Sequence, residues 1–202
     1  PVDPFLLVAR MAKDAVLSHH TALEFHGKAY SVFERFTYLS SKPMSPITFR
    51  AHYFKGVSLP KALVKQKAVS FDVIKADRSG MAISVTGLER TFVDVLNRPD
   101  LTGSWEEIWR SLESIEYFDL DKVATYVDLL GNATTAAKVG FFLEQHKEAL
   151  MVDETYLKTL RERRPHQPHY LERSRRKEGR FVAAWNLVVP KEVYGKSWEE
   201  QL

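Results

Sequence analysis

The stretch ISVTGLERTFVDVLN (residues 83–97) changes character at its centre. Its first residues complete the strand-like run MAISV (81–85). From Thr86 onward the period becomes helical, and Leu88, Phe92, Val95 and Leu96 fall on one helical face. Thr86 and Glu89 have the spacing of a capping box. Arg90 and Asp94, four residues apart, can pair across one turn. Phe92 and Val95 are expected to bury against a sheet. Arg98-Pro99 should end the helix, because the residue before a proline disfavours the α region. A junction built this way orders a strand-to-helix turn and needs no substrate.

On the N-terminal side, VSFDVIKA (69–76) and MAISV flank DRSG and read as a β-hairpin. Earlier still, VFERFTYLSS (32–41) and ITFRAHYFKGVSL (47–59) are rich in β-branched and aromatic residues, with a turn at SKPMSP (41–46). LSHHTALEFHG (17–27) reads as a short helix, with Ser18 as N-cap, Ala22 and Leu23 inward, and Gly27 just past the end. Pro4 suits the start of a short helix through Val8.

On the C-terminal side the pattern stays helical. Ser104 and Glu107 form a second capping box, followed by an apolar face of Trp105, Ile108, Trp109 and Leu112. Val123, Tyr126, Val127 and Leu130 repeat the pattern before Gly131. Another helix is expected from Thr134 to about His146, with Val139, Phe142 and Leu143 inward. Asp153 caps a last one through Tyr156, Leu157 and Leu160. The loop-like RPHQPHYLERSRRKEGR (164–180) then leads to FVAAWNLVVP (181–190), a strand that needs a sheet.

The expected fold is therefore α+β: a mixed or antiparallel sheet with a layer of helices, and a C-terminal strand returning to that sheet. We expect one domain over residues 1–202. Residues 1–100 form its mixed helix and strand part, 101–165 its helical part, and 166–202 a basic loop and the returning strand.

With 202 residues, 45% of them hydrophobic and 27% charged, the chain can bury a sizeable core. It has no cysteine, which excludes disulfides and thiolate metal sites. There is no membrane-length apolar run and no signal-peptide pattern, so no membrane partner and a cytoplasmic location are expected.

Three histidines lie in LSHHTALEFHG, but their spacing does not suit one metal. His19 and His26 would sit about 10 Å apart along a helix, and His20 and His26 would point to different sides. His146, His166 and His169 could join only from a distance. We expect no metal and no cofactor. The chain offers no nucleophile elbow and no phosphate-binding P-loop. An alternative remains in Asp72 and Lys75 of FDVIK, which faintly resemble a metal-dependent nuclease strand, with Asp94 or Glu89 as the missing carboxylate. The expectation is a protein that is not an enzyme, with no catalytic residue.

The strongest functional signal is charge. Residues 161–180 hold eight Lys/Arg and three acids, a local +5 in a chain of net charge +3. Arg173, Arg175, Arg176, Lys177 and Arg180, with Arg163 and Arg164 upstream, could follow a nucleic-acid backbone and release counterions. They could equally grip carboxylates on a protein. Cations near a helix C-terminus also favour its dipole, a structural role open to Arg161, Arg163 and Arg164.

Four stretches together carry a resemblance. LSHHTALEFHG, ISVTGLERTFVDVLNRPDLTGSWEEIWRSL (83–112), GNATTAAKVGFFLEQH (131–146) and the terminal WNLVVP are similar to the C-terminal domain of AbiEi-type antitoxins and transcriptional regulators. The resemblance implies a role in a bacterial type IV toxin–antitoxin system tied to phage defence. Its functional partner would be a nucleotidyltransferase-like toxin, with which direct contact is not required. It marks Ser18, Ala22, Leu23, His26, Gly27, Glu89, Arg90, Thr91 and Asp94 as motif positions without implying catalysis. Members carry an N-terminal winged helix that contacts DNA. No such helix-turn-helix precedes LSHHTAL, and the missing starting methionine suggests a processed or shortened product or an absent N-terminal part.

Overall fold

The hairpin around DRSG forms as the sequence indicates. In the computed structural model, which describes residues 2–174 and 178–199, β5 (Val73–Arg78) pairs antiparallel with β6 (Met81–Thr86), with Arg78 opposite Met81. Ser79 and Gly80 both have positive φ (54° and 77°), the backbone of a type I′ turn, whose twist matches that of the strands. Arg175, Arg176 and Lys177 lie outside the described residues.

This hairpin forms one side of a six-stranded mixed sheet. Its other strands are β1 (Val16–Leu17), β2 (Arg35–Ser40), β3 (Ile47–Phe49) and β4 (His52–Ser58), in the order β3-β4-β2-β1-β6-β5. The run ITFRAHYFKGVSL is two strands, not one. It reverses at Arg50, whose φ is +56°, so that Phe49 faces His52. β2 and β4 are parallel, joined through the proline-rich turn and β3. β1 is antiparallel to β2 and parallel to β6, and so ties the two halves together.

The helices are α1 (Pro4–Val8), α2 (His19–Phe25), α3 (Lys61–Lys65), α4 (Leu88–Asn97), α5 (Trp105–Glu113), α6 (Leu120–Leu130), α7 (Ala133–Gln145), α8 (Glu154–Arg161) and α9 (Lys191–Gly195). Their caps follow local chemistry. Asp3, Ser104, Asp119, Asn132 and Asp153 each accept a backbone N–H in the first turn of their helix. Gly131 ends α6 in the left-handed conformation, φ +60°. Pro99 stops α4, as expected.

Two apolar clusters result. A smaller one joins α1 and α2 to the sheet through Val8, Leu17, Ala22, Phe36, Tyr38 and Val85. The larger is helical and contains the buried apolar residues of α4, α5, α6 and α7. Adjacent residues of α2 divide between them: Ala22 faces the first and Leu23 the second. Phe92 does not pack on the sheet, as its pattern suggested. It stacks on Phe118 at 4.5 Å and lies tilted against Phe142 at 5.2 Å, because α4 is sandwiched by α2, α6 and α7.

The C-terminal strand departs furthest from expectation. It does not return to the N-terminal sheet. β8 (Arg180–Val182) and β9 (Leu187–Val189) form their own three-stranded sheet with β7 (His169–Tyr170), in the order β7-β9-β8. The reason is Trp185, fully buried between the strands' ends and α7. A Cβ on Gly140 would lie 2.1 Å from Trp185 Cζ3, so the ring occupies the groove that this glycine leaves. Trp185 Nε1 donates to Glu144 at 2.8 Å, and Arg161 lies over its ring while pairing with Glu144. Leu187 and Val189 complete the helical core instead of the N-terminal sheet. Among the described residues, no helix is long and apolar enough to cross a membrane.

Candidate functional site

The histidine stretch is occupied with internal bonds. Ser18 precedes α2 but its side chain does not cap it; Oγ pairs with His19 Nδ1 at 2.9 Å. Burial, then the nearby Arg98 charge, pushes His19 down to about 3, so its ring is neutral. His20 is likewise shifted down by burial against the pull of Glu107. Glu107 is itself lowered, because hydrogen bonds from His20 and Ser31 outweigh the burial that raises it. The pair is thus a neutral imidazole donating to a carboxylate at 2.9 Å. His26 Nε2 donates to the Thr86 carbonyl at 2.8 Å. Gly27 has φ +68°, the left-handed residue that lets the chain leave α2. Among the described residues, no group of three His, Asp or Glu side chains is placed to hold a metal ion.

That His26 bond joins the first motif to the second. At the β6–α4 junction, Thr86 and Glu89 do not form a capping box. The N-cap is Gly87, and the carboxylate that caps α4 comes from Asp72: its Oδ2 accepts Arg90 N–H at 2.9 Å while its carbonyl accepts Gly87 N–H at 2.8 Å. A Cβ on Gly87 would meet Asp72 Oδ1 at 2.2 Å, so this closeness requires glycine. Thr86 Oγ1 turns to Thr91 Oγ1 at 2.7 Å. Glu89 Oε1 accepts Asp119 N–H at 2.9 Å and thereby fixes the start of α6.

Arg90 is fully buried. Its Nη1 donates to the carbonyls of Val69 and Phe71, both at 2.8 Å, and its Nε reaches Asp94 Oδ2 at 3.4 Å. Tyr126 stacks under the guanidinium and donates its hydroxyl to Asp94. Burial pushes Asp94 up, opposed by the Arg90 charge. Of the nuclease-like alternative, Asp72 and Asp94 hold these structural bonds, and Lys75 is exposed on β5.

The basic segment divides into three. Arg161, Arg163 and Arg164 are spent on the fold. Arg161 pairs with Glu144 and Glu154, Arg163 grips both oxygens of Asp128, and Arg164 donates to the Ala184 carbonyl at 2.7 Å. Arg180 lies over Tyr194 at 4.0 Å. Arg173 is exposed, and among the described residues its side chain has no hydrogen bond or ion pair. Arg175, Arg176 and Lys177 lie outside the described residues.

Arg173 stands at the mouth of a cleft of about 820 Å³. One wall is the first turn of α5 with Ser104 and Trp105. Another is the first turn of α7 with Thr134 and Thr135. Leu171 and Trp198 close it from the C-terminal part. In its depth lies Lys138, only 7% exposed, which burial and then the Arg173 charge lower to about 8. Sequence reasoning passed over Lys138. Its signal was a lone cation inside the apolar run AAKVGFFL (136–143).

The architecture defines an α+β protein of mixed sheet and stacked helices. No family profile matches the chain, and no curated protein matches it. Among solved structures, the chain is similar to the Rv2827c protein from Mycobacterium tuberculosis, with a TM-score of 0.62 and 15% identity over 100% of this chain and 72% of that one. At this identity the likeness is one of fold, and fold does not carry function.

Proposed function

We propose that this chain is the regulatory, antitoxin-type domain of an AbiEi-like protein, acting without catalysis and contacting DNA phosphates through the exposed basic segment around Arg173. The observation that carries the DNA contact is the exposed Arg173, which has no ion pair among the described residues. It sits in a stretch whose next three cations are Arg175, Arg176 and Lys177. Arg161 and Arg163 are neutralised by their own carboxylates, so they add little to such a surface. The antitoxin part rests on the sequence resemblance. The way its motif residues are used supports this: His26, Glu89, Arg90, Thr91 and Asp94 all knit helix to strand, which suits a regulatory scaffold.

Duplex binding measured across a salt series tests the DNA contact. Replacing Arg173, Arg175, Arg176 and Lys177 by Ala should weaken binding and flatten the log–log salt dependence by about 0.9 for each lost phosphate contact. Unchanged affinity and slope would sink it. The antitoxin role is tested by co-expression with a neighbouring nucleotidyltransferase-like toxin, where rescued growth is expected. Rescue that survives the four-fold alanine variant would separate the antitoxin role from DNA contact.

A further inference from the structure

Lysine is almost never buried without a partner, because an unpaired ammonium loses its hydration for nothing in return. Lys138 breaks this rule. It lies in the second turn of α7, the residue is 7% exposed, and among the described residues its ammonium, which faces the cleft, has no hydrogen bond or ion pair.

The other charged side chains of the cleft already have partners, although those of Glu172 are neutral donors. Arg98 is held by Asp100 through two bonds of 2.9 and 2.8 Å. Glu106 pairs with Arg110 at 2.8 Å. Glu172 accepts from Trp105 Nε1 at 2.9 Å and from Ser174 Oγ at 2.8 Å. Glu192 is engaged as well. Among the described residues, Lys138 and Arg173 are left as the lining cations without an ion pair, with Asp100 the nearby acid whose charge acts on Lys138.

Two helix N-termini open on the same space. α5 has nine residues and α7 thirteen, and the first-turn amides of each lack intrahelical acceptors. Ser104 and Asn132 cap only the third amide of each turn, leaving the first two available. Aligned peptide dipoles make such ends favourable for anions. Two converging N-termini with two cations suit a tetrahedral group carrying more than one negative charge.

We propose that this cleft binds a phosphorylated small molecule, with its phosphoryl group seated between Lys138, Arg173 and the first turns of α5 and α7. The volume of about 820 Å³ lies within the range of small-molecule sites and is far larger than a phosphate ion fills. Trp105 and Trp198 offer apolar walls for the remainder, and Trp198 Nε1, buried beside it, has no acceptor. With a phosphoryl group at Lys138 the ammonium regains a counter-charge, and the burial that lowers its proton affinity is offset. The inference shares Arg173 with the proposed DNA contact; Lys138, only 7% exposed, is what separates a small-ligand site from a duplex surface.

Calorimetry with the whole chain tests it, using sodium phosphate, a panel of nucleoside and sugar phosphates, and the unphosphorylated parents. The phosphorylated compounds should bind, more tightly than phosphate alone, and the parents should not. Lys138→Met should lower affinity at least tenfold while raising the thermal midpoint of the ligand-free protein, because it removes an unpaired buried charge. Arg173→Ala, at an exposed position, should weaken binding several-fold without affecting folding. Absence of binding by the whole panel overturns the proposal, as does binding unchanged in Lys138→Met. Should that variant not fold, unchanged affinity in Arg173→Ala overturns it and weakened affinity supports it. Duplex affinity should be indifferent to Lys138→Met; equal loss of duplex and phosphate binding would assign Lys138 to the nucleic-acid surface and overturn the small-ligand reading.

Discussion

Arg90 shows what a single residue contributes here. Its charge is buried among two carbonyls, one carboxylate and one aromatic face. Removing one partner of a buried pair strands the other, at a cost of about 3–5 kcal/mol. Arg90→Ala is therefore expected to lower unfolding free energy by that amount in a urea titration, and a loss below about 1 kcal/mol would contradict this account. Asp72 is a gentler case. Asp72→Ala removes the cap of α4 and should cost about 1–2 kcal/mol, with the same titration as readout. The pairing of Arg90 with Asp94 was legible because helical spacing alone places them together. The cap was not, since Asp72 arrives through the β5–β6 hairpin, and Thr86 and Glu89 offered a nearer local solution. Lys138 was legible as an anomaly of pattern, but its meaning depends on Arg173 and α5, which sequence distance hides.

At the scale of elements, the best test is the contact between α7 and the C-terminal segment. Gly140 sits in a helix interior, where glycine is a poor choice by propensity. The Trp185 ring explains it. Gly140→Ala should gain helix propensity and still destabilise, because overpacking costs about 1–3 kcal/mol and here exceeds that gain. Trp185→Leu combined with Gly140→Ala should recover part of the loss relative to the sum of the single changes; strict additivity would show that the two side chains do not clash. Apolar periodicity located α4 to α8 well, since each buries one stripe. It read FVAAWNLVVP as one strand, whereas the segment is two short antiparallel strands separated by the turn that carries Trp185. Which sheet that segment joins is decided by a tryptophan fitting a groove in a helix, and hydrophobic pattern carries no record of that fit.

Across the whole molecule, titration couples the core to acid stability. His19 is held near 3 in the fold against an ordinary value of 6.5, so below pH 6.5 the unfolded chain binds protons that the folded chain refuses. Stability from this group is present above pH 6.5 and is lost as pH falls toward 3. His20, also lowered, acts in the same sense. Asp14 adds a later loss: burial raises it, but hydrogen bonds from Ser40 and Ser41 outweigh this and hold it at about 2, so its contribution fades below about pH 4. Asp94 and Glu24, raised by burial, oppose the trend over their own range. Urea midpoints at pH 7.5, 6 and 5 should fall in that order, and His19→Gln should flatten the decline between pH 6.5 and 5.

The position of β1 has a consequence for biosynthesis. This two-residue strand stands near the middle of the sheet, hydrogen-bonded to β2 on one side and β6 on the other. Val16 and Leu17 leave the ribosome early, yet the parallel partner of Leu17 is Val85, and between them the chain must first make β2 to β5. The two halves of the sheet cannot be zipped until that late residue has emerged. Until then the apolar side chains of β1 and α1 have no complete seat, and a nascent chain paused before Val85 would expose the surface that chaperones recognise.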